Sequence, residues 1–312
     1  MVDPVALTAL LLDAVLGWPD AVYRRIGHPV GGFARVIGAC ERLGNQPAQP
    51  ESHRRIFGIL TVLLLLMISG GGAWLVQLGL YALLGPGGWI AVALCAFPGL
   101  AQRSLHDHVT PIIAALRRAD LPAARQSVGM IVGRDTSGLD EAGISRAAIE
   151  SLSESFCDGV AAPLFWLMLL GLPGLWACKA VNTADSLIGH REPRWRAFGW
   201  AAARLDDGLN LVPARLAGLL ICVAAGGGLA TMLRDARRHA SPNAGWTEAA
   251  MAGGLGLRLG GPVAYDGALH DKPWIGDGRM DASAADIARA LTVYRRACLM
   301  LWAITGGLAW AL

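Results

Sequence analysis

No charged residue interrupts the sequence from Ile56 to Gln102, which reads IFGILTVLLLLMISGGGAWLVQLGLYALLGPGGWIAVALCAFPGLAQ. A helix of about 20 apolar residues is long enough to cross the hydrocarbon core of a bilayer. The stretch therefore has room for about two passes, with Gly85-Pro86-Gly87-Gly88 as the break between them. The second pass is short and could instead be re-entrant. The stretch predicts an integral membrane protein.

Other apolar segments extend this prediction along the chain. Residues 4–17 form a short first segment, and three further uncharged runs are Gly159 to Cys178, Leu216 to Leu233 and Ala297 to Leu312. Hydrophobic residues make up 54% of the chain and charged residues only 16%, whereas soluble domains carry about 25% charge. We predict an all-α, polytopic integral membrane protein with about four to six membrane segments and polar helical loops that form a surface site. No linker-like composition divides residues 1–312, so we treat them as a single domain.

The distribution of arginine predicts the orientation. If Ile56 to Gln102 is a hairpin, the polar segments 18–55, 103–158 and 234–296 share one face and hold most of the arginines, so that face is predicted to be cytoplasmic. Segment 179–215 would then lie on the opposite side, although it is also rich in arginine. Either Gly159 to Cys178, which contains two prolines, does not fully cross, or part of the site lies at the outer face. We favour the first interpretation.

Charge and cysteine patterns exclude some functions. The basic residues are scattered as pairs, such as Arg24/Arg25 and Arg237/Arg238, and form no stripe with interleaved aromatic residues, which argues against a nucleic-acid partner. The six cysteines lie far apart without a CxxC pair, which favours apolar packing over metal binding or disulfides. No GxxxxGK[ST] motif occurs, so any nucleotide must be held in another way.

The first polar segment of interest reads GRDTSGLD over residues 133–140 and precedes a predicted helix that begins near Glu141. Glu150, Glu154 and Asp158 recur every four residues in that helix, which puts the three carboxylates on one face. Such a face could simply be solvated, but a solvated face normally includes lysine, and only Arg146 is nearby. Stacked carboxylates suit Mg²⁺, which binds one or two carboxylates together with phosphate oxygens.

Two further polar segments follow at the ends of apolar runs. The first reads KAVNTADS over residues 179–186 and places Asn182 and Asp185 one helical turn apart. The second reads RLDDGLN over residues 204–210, and its adjacent aspartates could bind a metal ion bound to phosphate. Arg204 within this segment and Arg215 shortly after it offer bidentate donors. Capping and interfacial anchoring are the alternative explanations.

A fourth segment reads SPNAGWTE over residues 241–248 and leads into several glycines and Lys272. Glycine permits close approach of the backbone to a ligand, but any irregular loop also contains it. The apolar runs are nearly free of charge, whereas transporters keep functional ionisable residues within their spans. The sequence therefore favours a site assembled from the polar segments.

Taken in order, these segments resemble the CobD/CbiB family of cobalamin biosynthesis, the membrane-bound adenosylcobinamide-phosphate synthases. The segments that carry the resemblance are Leu11-Leu12-Asp13, His28-Pro29-Val30, Gly133-Arg134-Asp135-Thr136, Ala148-Ile149-Glu150-Ser151, Asp158 to Phe165, Lys179 to Thr183, Ala203 to Asp207, Pro213-Ala214-Arg215 and Ser241 to Gly245. They span nearly the whole chain. Ser155 and His190 stand where the family more often has Asn and Tyr.

The resemblance implies an ATP-dependent ligase. It would join a propionate carboxylate of adenosylcobyric acid to the amine of (R)-1-amino-2-propanol or its O-phosphate. A carboxylate must first be activated, for example as an acyl phosphate, which calls for Mg²⁺ and for Arg or Lys against the phosphoryl charge. The amine is an ammonium at neutral pH and must lose a proton to a base. The implied location is the bacterial inner membrane, with contact to the lipid bilayer, and the oligomeric state is left open.

The residues are assigned to this chemistry as a hypothesis. The candidate catalytic residues are Asp135, Glu150, Glu154 and Asp185. The candidate substrate-binding residues are Arg134, Lys179, Asn182, Arg204, Asn210, Arg215, Ser241, Asn243 and Glu248. The candidate metal ligands are Asp158, Asp206 and Asp207, and the expected cofactors are ATP, as co-substrate, and Mg²⁺.

Two rival interpretations differ in testable ways. A membrane prenyltransferase would hold Mg²⁺ and a diphosphate with two matching Asp-rich loops, and Asn182 to Asp185 matches Asp206 to Asn210 only in part. A non-catalytic membrane sensor or transporter would place its charges within the spans. The sequence shows the opposite distribution.

Overall fold

A computed structural model describes residues 4–265, 268–270 and 272–311, with the side chains of residues 20, 26 and 263–270 left out. The all-α prediction is confirmed, because helices dominate the described chain. The helices are α1 Val5–Leu16, α2 Asp20–Ile26, α3 Pro29–Gly44, α4 Glu51–Leu66, α5 Gly72–Leu84, α6 Gly88–Ala96, α7 Gln102–Arg117, α8 Leu121–Gly129, α9 Glu141–Phe156, α10 Ala162–Leu170, α11 Leu172–Ile188, α12 Trp200–Leu209, α13 Leu211–Ala225, α14 Leu229–Asp235, α15 Ala244–Leu255 and α16 Ala284–Ala311. Four short strands, β1 Leu259–Gly260, β2 Val263–Tyr265, β3 Ala268–His270 and β4 Trp274–Ile275, form the antiparallel pairs β1–β4 and β2–β3.

One helical stretch of the described residues, Glu51–Arg117, is long and apolar enough to cross a membrane. Two pairs of helices pass the same test only when each bent pair is taken together. These pairs are Val5–Leu16 with Ala21–Gly44, bent by 89°, and Trp200–Leu209 with Leu211–Ala225, bent by 49°. The described chain thus offers one to three candidate spans, and the predicted count of four to six is not confirmed.

The predicted break within the first apolar stretch is confirmed. Helix α5 ends at Leu84, a 3₁₀ turn follows over Gly85–Gly87, and Gly85 has a φ of +56°, which favours glycine. Helices α5 and α6 pack against each other. Because α6 has nine residues, it is about 14 Å long, less than the roughly 30 Å of a hydrocarbon core.

Two other apolar runs are not single helices. The run Gly159 to Cys178 is broken at Gly171, whose φ is +69°, and α10 and α11 on its two sides pack together. The side-chain oxygen of Gln77 accepts a hydrogen bond from the Leu172 N–H at 2.8 Å, which satisfies a free donor at the start of α11. The run Leu216 to Leu233 is broken by glycines at 226–228, between α13 and α14. Counting apolar runs therefore overestimates the number of single spanning helices.

The contacts divide the chain into two compact units, each built from separate segments. Unit 1 comprises Met1–Ala101, Ala162–Asn210 and Thr305–Leu312, and unit 2 comprises Gln102–Ala161 and Leu211–Ile304. In unit 1, a buried core including Ile37, Leu65 and Phe198 lies where α3, α4, α11 and α12 meet.

Most residues of helix α15, in unit 2, are buried, and the helix packs against α9, α13 and α14. Small residues permit this close packing. A Cβ on Gly245 would lie 2.1 Å from the Ala236 carbonyl oxygen, so no larger residue fits there without movement. The buried helix carries Glu248 into the interior.

Candidate functional site

Helix α9 begins where the sequence predicts. The Asp140 carboxylate accepts a hydrogen bond from the Gly143 N–H at 2.7 Å and caps the helix, and Glu141 lies in its first turn. Glu150 and Glu154 both lie on this helix, whereas Asp158 lies beyond its end in a π-helical turn over Cys157–Ala161. Asp158 thus lies outside the α-helix in which the sequence analysis placed it, in a turn that is wider than an α-helical one.

Both carboxylate oxygens of Glu150 are hydrogen-bonded. Arg134 donates from Nη2 to Oε2 at 2.7 Å, and the Gly260 N–H donates to Oε1 at 2.8 Å. Gly260 has a φ of +74°, and a Cβ there would lie 2.7 Å from the Pro273 carbonyl oxygen. The glycine lets the backbone reach the Glu150 carboxylate directly.

Glu248 is only 6% exposed and lies near Gly260. A Cβ on Gly260 would lie 3.8 Å from its Oε1, and its Oε2 lies 3.5 Å from His239 Nε2. Burial raises the pKa of the Glu248 carboxyl well above its usual 4.5, and the negative charges of Glu150 and Glu154 raise it further. The charges of Lys272 and Arg134 act in the opposite direction.

His239 is a site residue that the sequence analysis missed. The Ser241 N–H donates a hydrogen bond to its Nδ1 at 3.0 Å. A neutral ring in this arrangement carries its proton on Nε2, which faces Glu248. Burial, followed by the charge of Lys272, lowers the pKa of His239. In the sequence, the one indication of a role for His239 is its position two residues before Ser241, and this is too weak to identify a site residue.

Glu154 is exposed, and no hydrogen bond or ion pair of its carboxylate is recorded within the described residues. Enough protein surrounds it that desolvation raises its pKa, and the charge of Glu150 acts in the same direction, whereas Lys272 lowers it. We call Arg134, Glu150, Glu154, His239, Glu248 and Lys272 the glutamate cluster; all six lie in unit 2. Within this cluster Glu150 is hydrogen-bonded to Arg134 and Gly260, and Glu248 is buried, which leaves Glu154 as the carboxylate open to a ligand.

Unit 1 contains a second polar group, formed by the predicted segments of α11 and α12. Asn182 donates to one oxygen of Asp206 at 3.4 Å, and Asn210 donates to the other at 3.0 Å. The negative charges of Asp185 and Asp207 also act on Asp206. We call these five residues the aspartate cluster. Two segments separated in sequence are thus brought together, as an assembled site requires.

The remaining predicted residues lie around these clusters within their own units. Arg204 forms an ion pair with Asp207 at 2.9 Å, and Lys179 is half-buried one helical turn before Asn182. In unit 2, Arg215 donates to the side-chain oxygen of Asn243 at 3.1 Å and lies over the Trp246 ring at 4.7 Å.

Two predicted residues have local structural contacts. Ser241 Oγ accepts hydrogen bonds from the N–H groups of Asn243 and Ala244 at 3.2 Å each, at the start of α15. Asp135 accepts from the Ser137 N–H at 2.9 Å, as in a tight turn. That hydrogen bond lowers the pKa of Asp135. Neither contact tests the predicted role in catalysis or binding.

The candidate metal ligands fall in both units. Asp158 belongs to unit 2, and Asp206 and Asp207 belong to unit 1. Within the described residues, no group of three or more His, Cys, Asp or Glu side chains is placed to hold a metal ion. The donors of the aspartate cluster are carboxylate and amide groups, which match Mg²⁺ when phosphate or water supplies the remaining ligands.

Comparisons with known proteins agree along nearly the whole chain. The model of the CobD/Cbib protein family matches residues 6–294. A protein of Rhodobacter capsulatus named cobalamin biosynthesis protein CobD is 48% identical over 306 residues, which cover 96% of this chain and 95% of that protein. A protein of the same name from Rhizobium meliloti (strain 1021) is 44% identical and covers 95% of this chain and 94% of its own length. Another, from Brucella suis biovar 1 (strain 1330), is 45% identical and covers 92% of this chain and 90% of its own length. No solved structure matches. The resemblance seen in the sequence is confirmed, and the chain belongs to the CobD/CbiB family.

Proposed function

We propose that this protein acts in cobalamin biosynthesis as an ATP-dependent ligase. It joins a propionate carboxylate of adenosylcobyric acid to the amine of (R)-1-amino-2-propanol or of its O-phosphate, in the bacterial inner membrane and at the cytoplasmic face. The names of its relatives support the pathway. The observation that supports the reaction type is the glutamate cluster, in which the exposed Glu154 carboxylate lies within the electrostatic influence of Glu150 and Lys272.

The glutamate cluster suits a cationic amine. Glu154 offers a carboxylate to the substrate ammonium, and its raised pKa brings it closer to neutrality, where a general base is most effective. Glu150 is held by Arg134 and Gly260, so it contributes negative charge without being free to move. In the proposed step the ammonium gives one proton to Glu154, and the neutral nitrogen attacks the carbonyl carbon of the acyl phosphate. The bond from that carbon to the phosphate oxygen breaks as the amide bond forms, and the phosphate leaves with the second proton of the nitrogen.

The aspartate cluster suits Mg²⁺ and phosphate. Asp206 and Asp207 would hold the ion with the amide oxygens of Asn182 and Asn210, and Arg204 and Lys179 would balance phosphate charge. ATP supplies the phosphoryl group that activates the carboxylate when it is bound. Arg215 and Asn243, which contact each other, are assigned to the corrin carboxylate or to phosphate.

The test is a reconstituted reaction. Purified full-length protein in detergent is incubated with adenosylcobyric acid, aminopropanol phosphate and Mg-ATP, and the corrinoid is followed by mass spectrometry while ADP is measured. We expect the corrinoid mass to rise by the mass of the amine less one water, with ADP formed only when both organic substrates are present. A parallel reaction with unphosphorylated aminopropanol identifies the preferred amine. No mass gain where a known synthase works would refute the proposal.

A further inference from the structure

A pocket of about 770 Å³ in unit 1 contains none of the residues assigned above. Its wall comes from the end of α3, the first turn of α4 and the segment that precedes α12. The residues that matter here are Glu41, Arg42, Asn45, Arg54 and Arg194. We call it the arginine pocket.

The arginine pocket carries a surplus of positive charge. Arg194 donates to Glu41 at 2.8 Å, which neutralises one of the three guanidinium groups. No hydrogen bond or ion pair of the Arg42 side chain is recorded within the described residues. Arg54 forms no ion pair within the described residues, although Glu51 interacts with it electrostatically. The pocket therefore keeps a net positive charge, which favours an anionic ligand.

The arginine pocket is also held in a fixed shape. Arg54 donates from Nε to Asn45 Oδ1 at 2.8 Å and from Nη2 to the carbonyl oxygens of Pro193, at 3.0 Å, and Arg194. These bonds tie α4 to the segment before α12 and orient the guanidinium before any ligand arrives. Such preorganisation reduces the entropy lost on binding.

One buried donor of the pocket lacks a partner. Asn45 is 7% exposed, and its Nδ2 has no hydrogen-bond acceptor among the residues that the structure describes. Buried amide groups are normally hydrogen-bonded, and an unmade bond is costly. Because Nδ2 itself is enclosed, a ligand with acceptor oxygens would satisfy this group after a small movement of the Asn45 side chain, and negative charge would satisfy the arginines. A phosphate group has both properties.

The surroundings point to a lipid as the source of the phosphate. Leu43 and Ile56, next to the pocket in sequence, are 73% and 53% exposed. Helix α4 also begins the one stretch of the described chain that is long enough to cross a membrane. Basic pockets at the ends of membrane helices bind anionic headgroups. We propose that the arginine pocket binds the phosphate headgroup of an anionic phospholipid, whose acyl chains lie along the exposed apolar side chains of α4.

Binding of phosphatidylglycerol to the full-length protein tests this proposal. The protein is purified in a neutral detergent, and retained lipid is measured by native mass spectrometry across a titration, with phosphatidylcholine as the zwitterionic comparison. Asn45→Asp is the sharpest variant, because it keeps the acceptor for Arg54 but replaces the Nδ2 donor by a negative oxygen. We expect it to weaken phosphatidylglycerol binding about tenfold or more, and Arg42→Gln about fivefold.

Arg24→Gln is the matched control, since Arg24 is exposed, lies in unit 1 and does not line the pocket. We expect it to bind phosphatidylglycerol as the unmodified protein does. The thermal midpoint without lipid checks folding of each variant. Equal binding of both lipids, or unchanged binding by Arg42→Gln, would overturn the proposal. Displacement of the lipid by glycerol 3-phosphate at the same concentration would overturn the lipid assignment in favour of a soluble phosphate ester.

Discussion

The two polar clusters contain similar numbers of carboxylates but surround them differently. In the aspartate cluster, neutral amides of Asn182 and Asn210 hold Asp206, and other carboxylates lie nearby. In the glutamate cluster, Arg134 and Lys272 compensate part of the charge, and Glu248 is buried. Arg204 pairs with Asp207, whereas Asp206 is held by neutral amides. A carboxylate held by neutral amides favours a cation of high charge density, whereas a cluster with an Arg134–Glu150 ion pair and Lys272 nearby favours an organic ammonium. The difference motivates separate roles in metal-phosphate binding and amine activation.

The largest effect is expected from Asp206→Asn. It preserves the shape of the side chain but removes the charge assigned to Mg²⁺ binding, so we expect kcat/KM to fall by about 100- to 1,000-fold. Raising Mg²⁺ should restore part of the activity if the carboxylate binds the ion. The matched control is Glu192→Gln, an exposed carboxylate in unit 1. Full activity of the Asp206 variant at low Mg²⁺ would remove the aspartate cluster from the mechanism.

A comparison of Glu154 with Glu150 separates chemistry from structure within the glutamate cluster. Glu154→Gln removes an exposed carboxylate, so we expect stability to change by less than about 0.5 kcal/mol and kcat to fall about 100-fold. Glu150→Gln leaves Arg134 without its partner, so we expect a loss of about 2–4 kcal/mol in the free energy of unfolding. Thermal unfolding and single-turnover kinetics measure the two effects. The reverse pattern would exchange the roles of these residues.

The smallest effect concerns stability as a function of pH. The pKa of Glu248 is raised in the folded protein, so folding retains a proton that the unfolded chain loses above its usual value of 4.5. The contribution of Glu248 to the free energy of unfolding is fully present below pH 4.5 and is lost as pH rises through the pKa of Glu248 in the folded protein. The loss is at most about 1.4 kcal/mol per pH unit. We therefore expect Glu248→Gln to become more stable relative to the unmodified protein as pH rises above 4.5.

Neighbouring groups must be considered in this comparison. Glu150, Glu154, Arg134 and Lys272 act on Glu248 electrostatically, and His239 contacts it. The lowered pKa of His239 works in the opposite sense: its contribution is present above 6.5 and is lost as pH falls through the folded pKa. His239 is present in both proteins, but it contacts Glu248, so the difference between their thermal midpoints reports Glu248 together with its effect on His239. A difference that does not vary with pH would contradict the raised pKa of Glu248.

The sequence predicted the helical class, the break at Gly85 and the start of α9, because composition, glycine and capping residues act locally. It favoured an incomplete crossing for Gly159 to Cys178 but did not place the breaks at Gly171 and Gly226, because hydropathy adds over a window and does not register a change of direction at one glycine. It also missed His239. The ring owes its environment to burial and to a carboxylate from α15, both of which depend on tertiary packing.

Because each unit is built from separate segments of the chain, the ribosome synthesises the residues that the two units need at different times. Unit 1 includes Thr305–Leu312, although its preceding segment ends at Asn210. A ribosome must therefore translate the last part of unit 2 before unit 1 possesses all of its residues. An arrested chain ending after Asn210 would lack the final segment of unit 1, so protease resistance of that unit should mature late rather than in step with its early helices.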